Sequence, residues 1–264
     1  MIVVLVALLM AVLASCSDAH TSDEKNEAQN GTDPRVVTVF EPTELLVAMK
    51  ALTEAFSKTR PDTTFVFESD PVVTQRQRIA DGARPGLWID QAQNVDAYAH
   101  DPRAQGDPVV VGWDVLQFIV KLGNPKRISK LTVFGVGGGP NPGAKTSVCK
   151  LDTRCGAVTN KLLVSKHIDA TPTVKSPDGD ALVQAVLDTT VDAGLVFRTS
   201  AAPFADKLTL VPYDPATTGL VEFHMLRFTN NTTAEDFQTW LTTSDEAKRI
   251  LLTQGLLPEI KATG

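Results

Sequence analysis

The residues of this chain best suited to catalysis or metal binding are few, and they are scattered. His20, His100, His167 and His224 stand in unrelated contexts, and none belongs to a nucleophile or metal motif. Ser, His and Asp are all present, as in most chains of this length, and nothing in their spacing marks a triad. Glu222 and His224 alternate onto one face of a strand and could hold a metal, although such a pair is more often solvated or hydrogen-bonded. Cys149 and Cys155 lie six positions apart. Two thiols want two more ligands to close a zinc site, and no His or Cys lies near them. In an oxidising compartment the pair is expected to form a disulfide, with a metal site as the competing reading. Gly138-x4-Gly143-Ala144-Lys145-Thr146 nearly spells a phosphate-binding P-loop, but Ala144 displaces the Lys by one position. A P-loop also opens a helix, whereas Thr146 to Cys149 reads as a strand, so this stretch is expected to be a surface loop. These observations predict no catalytic residue, no metal, no cofactor and no enzyme.

The compartment is read from the beginning of the chain. Ile2 to Leu13 carries no charge and is almost wholly Val, Leu, Ala, Met and Ile. A bilayer core of about 30 Å needs about 20 apolar residues, so the run is too short to span and reads as a removable signal segment over residues 1–15. Leu13-Ala14-Ser15-Cys16 resembles the bacterial lipobox, which implies a lipidated Cys16 and an extracytoplasmic protein anchored to the cell membrane. No Lys or Arg precedes the apolar core, a departure from the usual signal pattern. Residues 16–35 are polar and poor in large apolar side chains, and are expected to form a flexible tether.

The elements that would position any site alternate. Val36 to Phe40 is a β-branched strand; Leu45, Met49, Leu52 and Phe56 follow at helical spacing; Arg60-Pro61-Asp62 stops the helix. Thr63 to Glu68 is a second strand with Phe65 and Phe67 on one face. Strand, helix, strand in about thirty residues is a βαβ unit and predicts an α/β fold. Ser69 to Asp81 reads as a loop and helix ended by Gly82. Val109 to Val111 and Leu116 to Val120 are strand candidates. Beyond Cys149, helices are expected over Gly156 to Ser165 and Asp178 to Asp188, and strands over Ala193 to Phe197, Leu208 to Val211 and Glu222 to Phe228. Two helices with capping-box starts at Thr233 and Thr243 close the chain.

The chain has 264 residues, 43% of them apolar and 21% charged, with a formal net charge of −6. That is an ordinary globular composition, with enough chain for two lobes. Nucleic acid is not an expected partner, because phosphate binding needs clustered Lys and Arg.

Several stretches together resemble the molybdate-binding family of extracytoplasmic solute-binding proteins, which deliver an oxyanion to an ABC importer. They are Val39-Phe40 with Leu45, Ile79 with Gly82-Ala83, Gly123-Asn124-Pro125, Val148-Cys149 with Cys155-Gly156, and, most specific, Val191 to Thr199. The resemblance implies a two-lobed type II periplasmic-binding-protein fold, each lobe a mixed sheet flanked by helices. Lobe 1 is expected over 36–117 and 213–264, and lobe 2 over 118–212. It further implies a monomer whose partners are a small solute, molybdate or a similar oxyanion, and an ABC permease in the membrane.

Carried over position by position, the family's neutral donors are poorly kept. The first Ser falls at Glu44 beside Thr43, and the second near Ser69, next to Asp70. Cys155 and Gly179 keep backbone N–H donors, and Phe197 replaces a Tyr. The expected cleft residues are therefore Thr43, Glu44, Ser69, Asp70, Cys155, Gly179 and Phe197, with Thr43 and Ser69 as hydroxyl donors. A carboxylate at Glu44 matters physically. Two unit charges 4 Å apart cost about 4 kcal/mol at an effective dielectric of 20, and a dianion doubles this to about 8, roughly the worth of micromolar binding. Either Glu44 caps its helix and points away, or the cleft takes another solute, such as a cationic one, or none, leaving a non-transport interaction lipoprotein.

Overall fold

A computed structural model describes residues 33–214 and 219–259. The expected signal segment, Cys16 and most of the expected tether lie outside the described residues.

The chain opens with strand β1 (Val36–Phe40), a 3-10 turn over Thr43–Leu45, helix α1 (Leu46–Ser57) and strand β2 (Thr64–Glu68). β1 and β2 pair in parallel, Val36 opposite Thr64 through Phe40 opposite Glu68. The crossover is short because α1 presents Met49, Leu52 and Phe56, all buried, to the sheet on one stripe. Helix α2 (Val72–Ala80), strand β3 (Leu87–Gln91) and the short helix α3 (Ala92–Asp96) follow. β3 lies parallel to β1 on the side away from β2.

Strand β4 (Val109–Lys121) is where the architecture turns. The two expected strands are one strand of 13 residues. The stretch between them stays in the strand, with a shift of register against its neighbour between Val110 and Gly112, and its one carboxylate, Asp114, is fully buried and hydrogen-bonded. Its pairing changes partner part-way. Val109 to Val115 pairs antiparallel with β9 (Leu220–Leu226), whereas Leu116 to Lys121 pairs with β7 (Ala193–Phe197) and β8 (Leu208–Val211). β9 in turn slots between β3 and β4. The remaining strands, β5 (Thr146–Cys149) and β6 (Val174–Ser176), run parallel to each other, and β5 is parallel to β7. One lobe is thus β2-β1-β3-β9 and the first half of β4; the other is the second half of β4 with β7, β5, β6 and β8.

Helices α4 (Arg154–Ser165) and α5 (Gly179–Leu187) flank the second sheet, α6 (Arg198–Ala201) leaves β7, and α7 (Thr232–Thr243) and α8 (Asp245–Thr253) cover the first. Their starts are set by side-chain caps. Asn231 accepts from Ala234 N–H at 3.0 Å, and Ser244 from Glu246 N–H at 3.1 Å. α7 seals the first core with aromatic rings: Phe56 meets Phe237 edge-on at 5.3 Å. The chain's end returns to β4, where Trp113 and Leu257 exchange backbone hydrogen bonds at 2.8 Å in both directions. Among the described residues no helix is long and apolar enough to cross a membrane.

Candidate functional site

A cleft lies between the two lobes, and four chain segments meet there. From the first lobe comes the 3-10 turn after β1, with Thr43 and Glu44. From the second come the starts of α4 and α5 and the end of β7. They enclose a cavity of about 200 Å³, and a second compartment of about 220 Å³ shares Thr43, Glu44, Asp180 and Ser200 with it.

Both helix starts are built to aim at this cavity. Thr153 caps α4 by accepting from Gly156 N–H at 3.0 Å, and its hydroxyl donates to Lys150 O at 2.7 Å. The turn is so tight that a Cβ on Gly156 would stand 1.9 Å from Lys150 O. Cys155, joined to Cys149 by a disulfide with Cα atoms 5.7 Å apart, clamps the same turn to β5. α5 is capped by Asp178, which accepts from Ala181 N–H at 2.8 Å. Gly179 packs so closely that an added Cβ would lie 2.7 Å from Ser200 Oγ. The first N–H groups of each helix, those of Arg154, Cys155, Gly179 and Asp180, have no intrahelical acceptor and carry the positive end of the dipole.

Five of the seven residues expected from the sequence line this one cavity: Thr43, Glu44, Cys155, Gly179 and Phe197. Ser69 and Asp70 stand outside its lining. Asp70 pairs with Arg78 at 2.8 Å. The Ser69 hydroxyl donates to Glu41, and Thr43 Oγ1 donates to Ser69 O at 3.2 Å. The expectation that Thr43 and Ser69 are free hydroxyl donors is therefore corrected: both protons are committed within the first lobe. Glu41 is fully buried, and burial pushes its carboxyl up to about 7. Phe197, which ends β7, brings an apolar ring and no hydroxyl.

Five further lining residues, Thr153, Arg154, Asp178, Asp180 and Ser200, were not among those expected from the sequence, and two of them matter most. Ser200, in α6, has a hydroxyl that no hydrogen bond engages among the described residues. Arg154, the first residue of α4, reaches across the cleft into the other lobe. Its Nη1 stands 2.7 Å from Glu44 Oε1, its Nη2 lies 3.3 Å from Asp90 Oδ1, and its guanidinium rests 5.1 Å from the centre of the Phe223 ring. Asp90, on β3, is fully buried, and burial raises its carboxyl above the usual range. It is held by Gln91 N–H at 2.7 Å and Asn94 Nδ2 at 2.8 Å. The sequence did offer one signal for Arg154: a cation in the first turn opposes the helix dipole, a local cost that tends to mark function.

Glu222 and His224, considered above as metal ligands, form with Asp96 a hydrogen-bonded group, His224 Nδ1 at 2.7 Å from Asp96 and Nε2 at 3.1 Å from Glu222. No cluster of three or more potential ligands suited to a metal occurs among the described residues.

A cleft between two α/β lobes, ringed by helix starts, is suited to binding a small solute. Residues 37–257 match the family model of the bacterial extracellular solute-binding proteins. The chain belongs to that family. This solute-binding protein is 26% identical over 226 residues to the molybdate-binding protein ModA of Mycobacterium bovis, a match covering 83% of this chain and 82% of the relative. The same figures hold for ModA of Mycobacterium tuberculosis. Its fold matches the substrate binding domain of a candidate molybdenum ABC transporter from Clostridium difficile, with a TM-score of 0.70 at 16% identity, covering 86% of this chain and 99% of that one. It also matches the periplasmic molybdate-binding protein of Azotobacter vinelandii, with a TM-score of 0.60 at 14% identity, covering 84% and 98%. The resemblance to molybdate receptors and the two-lobed fold read from the sequence are thus both found, and the relatives are binding proteins rather than enzymes.

Proposed function

We propose that this solute-binding protein captures a small oxyanion of the molybdate class in the interlobe cleft and presents it to an ABC permease, as an extracytoplasmic monomer held to the membrane by lipid on Cys16. The observation that carries the reading is the convergence of two helix starts and the guanidinium of Arg154 on one cavity, opposite the first turn of the other lobe. Unpaired N–H groups at helix starts bind anions, and Arg154 adds a fixed positive charge that the sequence alone did not reveal. Asp178 and Asp180 also border the cavity, but both are exposed, and Asp178 is spent capping α5. Solvent and the helix dipole offset their charge. The lobes are taken as 36–117 with 213–264, and 118–212, with the hinge in β4; the exchange of strand partners between Val115 and Leu116 supports that division.

Titration calorimetry with molybdate, tungstate and sulfate tests the proposal. Micromolar or tighter binding of at least one supports it. Silence towards all three, with heat from a cationic metabolite such as putrescine, would transfer the site to the cationic reading; silence throughout would favour an interaction lipoprotein.

A further inference from the structure

Arg154 touches two carboxylates of the opposite lobe, and the two are held very differently. Asp90 is a fixed anchor. It is fully buried on β3 and receives hydrogen bonds from a backbone N–H and from Asn94. Glu44 is not fixed. It projects from a 3-10 turn into the cleft, its side chain is 28% exposed, and Arg154 is its only ion-pair partner among the described residues. It borders both compartments of the cavity.

The contact between Glu44 and Arg154 is close but poorly formed. Although Nη1 and Oε1 are 2.7 Å apart, Nη1 lacks the alignment a hydrogen bond requires, and this solvent-shielded nitrogen makes no hydrogen bond at all. A buried donor without an acceptor costs free energy. An anionic oxygen in the cavity in line with an Nη1 N–H would remove that cost, while Nη2 kept its hold on Asp90. The contacts of the guanidinium with Asp90, at 3.3 Å, and with the Phe223 ring, at 5.1 Å, hold it back from following Glu44 when that side chain leaves.

We propose that Glu44 is a built-in stand-in for the solute: its carboxylate keeps the place on Arg154 that a charged oxygen of the bound solute takes, and Arg154 is the residue that selects for that charge. The inference rests on the cleft being an oxyanion site and adds how that site discriminates. A neutral solute cannot displace a carboxylate from a guanidinium, so solutes lacking a negative oxygen are rejected by competition from within the protein. A compact oxyanion succeeds because it combines the Arg154 contact with the N–H groups at the starts of α4 and α5. The arrangement also explains how a site with a carboxylate at its mouth accepts an anion: Glu44 must turn out of the cleft as the anion enters.

The test uses the full chain, with molybdate, sulfate and inorganic phosphate as separate probes in titration calorimetry. Glu44→Gln removes the internal competitor while keeping its shape, and is expected to bind the preferred anion at least about tenfold tighter than wild type. Arg154→Gln is expected to weaken binding at least about 30-fold, the range for cutting one partner from a buried charge pair, and Arg154→Lys, which keeps the charge but loses the fork, to fall between. Because Arg154→Gln also leaves Asp90 without its cation, the double variant Arg154→Gln with Asp90→Asn serves as a control for folding and should bind as weakly as Arg154→Gln. If wild type binds an anion but Glu44→Gln binds it no more tightly, or Arg154→Gln binds it equally well, the stand-in role is overturned and the receptor reading survives. If neither wild type nor Glu44→Gln binds any of the three, although both unfold cooperatively on heating, the oxyanion reading falls and takes this inference with it. A crystal structure of Glu44→Gln with its anion should place an anion oxygen on Arg154 Nη1; an anion seated elsewhere in the cavity would equally refute the proposal.

Discussion

Asp114 is the residue through which pH should act on stability. It sits on β4 at the last positions paired with β9, without any exposed surface, and one oxygen accepts from Val115 N–H at 2.8 Å and from Thr199 N–H at 3.4 Å. The other accepts from the Thr199 hydroxyl at 2.6 Å. Burial outweighs these hydrogen bonds and pushes the carboxyl up to about 7 from 3.8. The folded chain therefore keeps a proton that the unfolded chain gives up near pH 4. Stability contributed by the protonated group is complete below the unfolded value and is lost as pH rises towards 7. One pKa unit is worth about 1.36 kcal/mol, so the loss across that window is about 4 kcal/mol, or a fall in Tm of roughly 10 °C for a domain of this size. Asp114→Asn should flatten this dependence at little cost, because the Asn oxygen can accept the two N–H groups while its amide donates to the Thr199 hydroxyl, which reverses its role. Asp114→Ala should instead lose about 3 kcal/mol or more at every pH, since it orphans three buried donors. Urea unfolding at intervals from pH 4.5 to 8 reads both effects. If Asp114→Asn retains the full wild-type slope, the assignment of that slope to this carboxyl is refuted.

Other consequences are simpler to measure. Glu41→Gln should remove a further share of the same decline between pH 4.5 and 7, since burial raises that carboxyl to about 7 as well; the same unfolding series checks it. Gly156→Ala places a Cβ against Lys150 O and should destabilise the second lobe by several kcal/mol, of the order of an overpacked site or more, seen as a lowered urea midpoint. Opening the disulfide, by Cys149→Ser with Cys155→Ser, should cost about 2 kcal/mol for so short a loop, and should weaken anion binding by freeing Arg154. Phe197→Tyr supplies a hydroxyl at the cavity wall and should tighten oxyanion binding up to about tenfold, the lower range for a hydrogen bond to a charged group; calorimetry decides.

What could be read in advance follows from range. β1, α1 and β2 were visible because their apolar periodicity is local; α7 and α8 were visible too, but their caps are Asn231 and Ser244 and not the expected Thr233 and Thr243. β3 was not foreseen: Leu87-Trp88-Ile89-Asp90 ends in a buried charge, which is intelligible only once Arg154 and Asn94 are seen beside it. β4 was read as two strands, 109–111 and 116–120, and the stretch between them contains Asp114, which is satisfied by Thr199, 85 positions away. In the cleft, Thr43, Glu44, Cys155, Gly179 and Phe197 were found through family resemblance, which tracks turns of backbone. Arg154 escaped because its role lies in a contact across lobes that no spacing encodes. The hydroxyls of Thr43 and Ser69 were misassigned because their acceptors, Ser69 O and Glu41, are set by how two loops pack.

The position of β9 carries a consequence for how the protein is made. This strand fills the gap between β3 and β4, yet it lies more than a hundred residues after the first of them, and Leu257 still has to reach back to Trp113. A nascent chain emerging amino end first therefore has to hold its opening sheet ajar while the whole inserted lobe is synthesised. The amino-terminal half expressed alone would leave two strand edges unpaired and open to self-association.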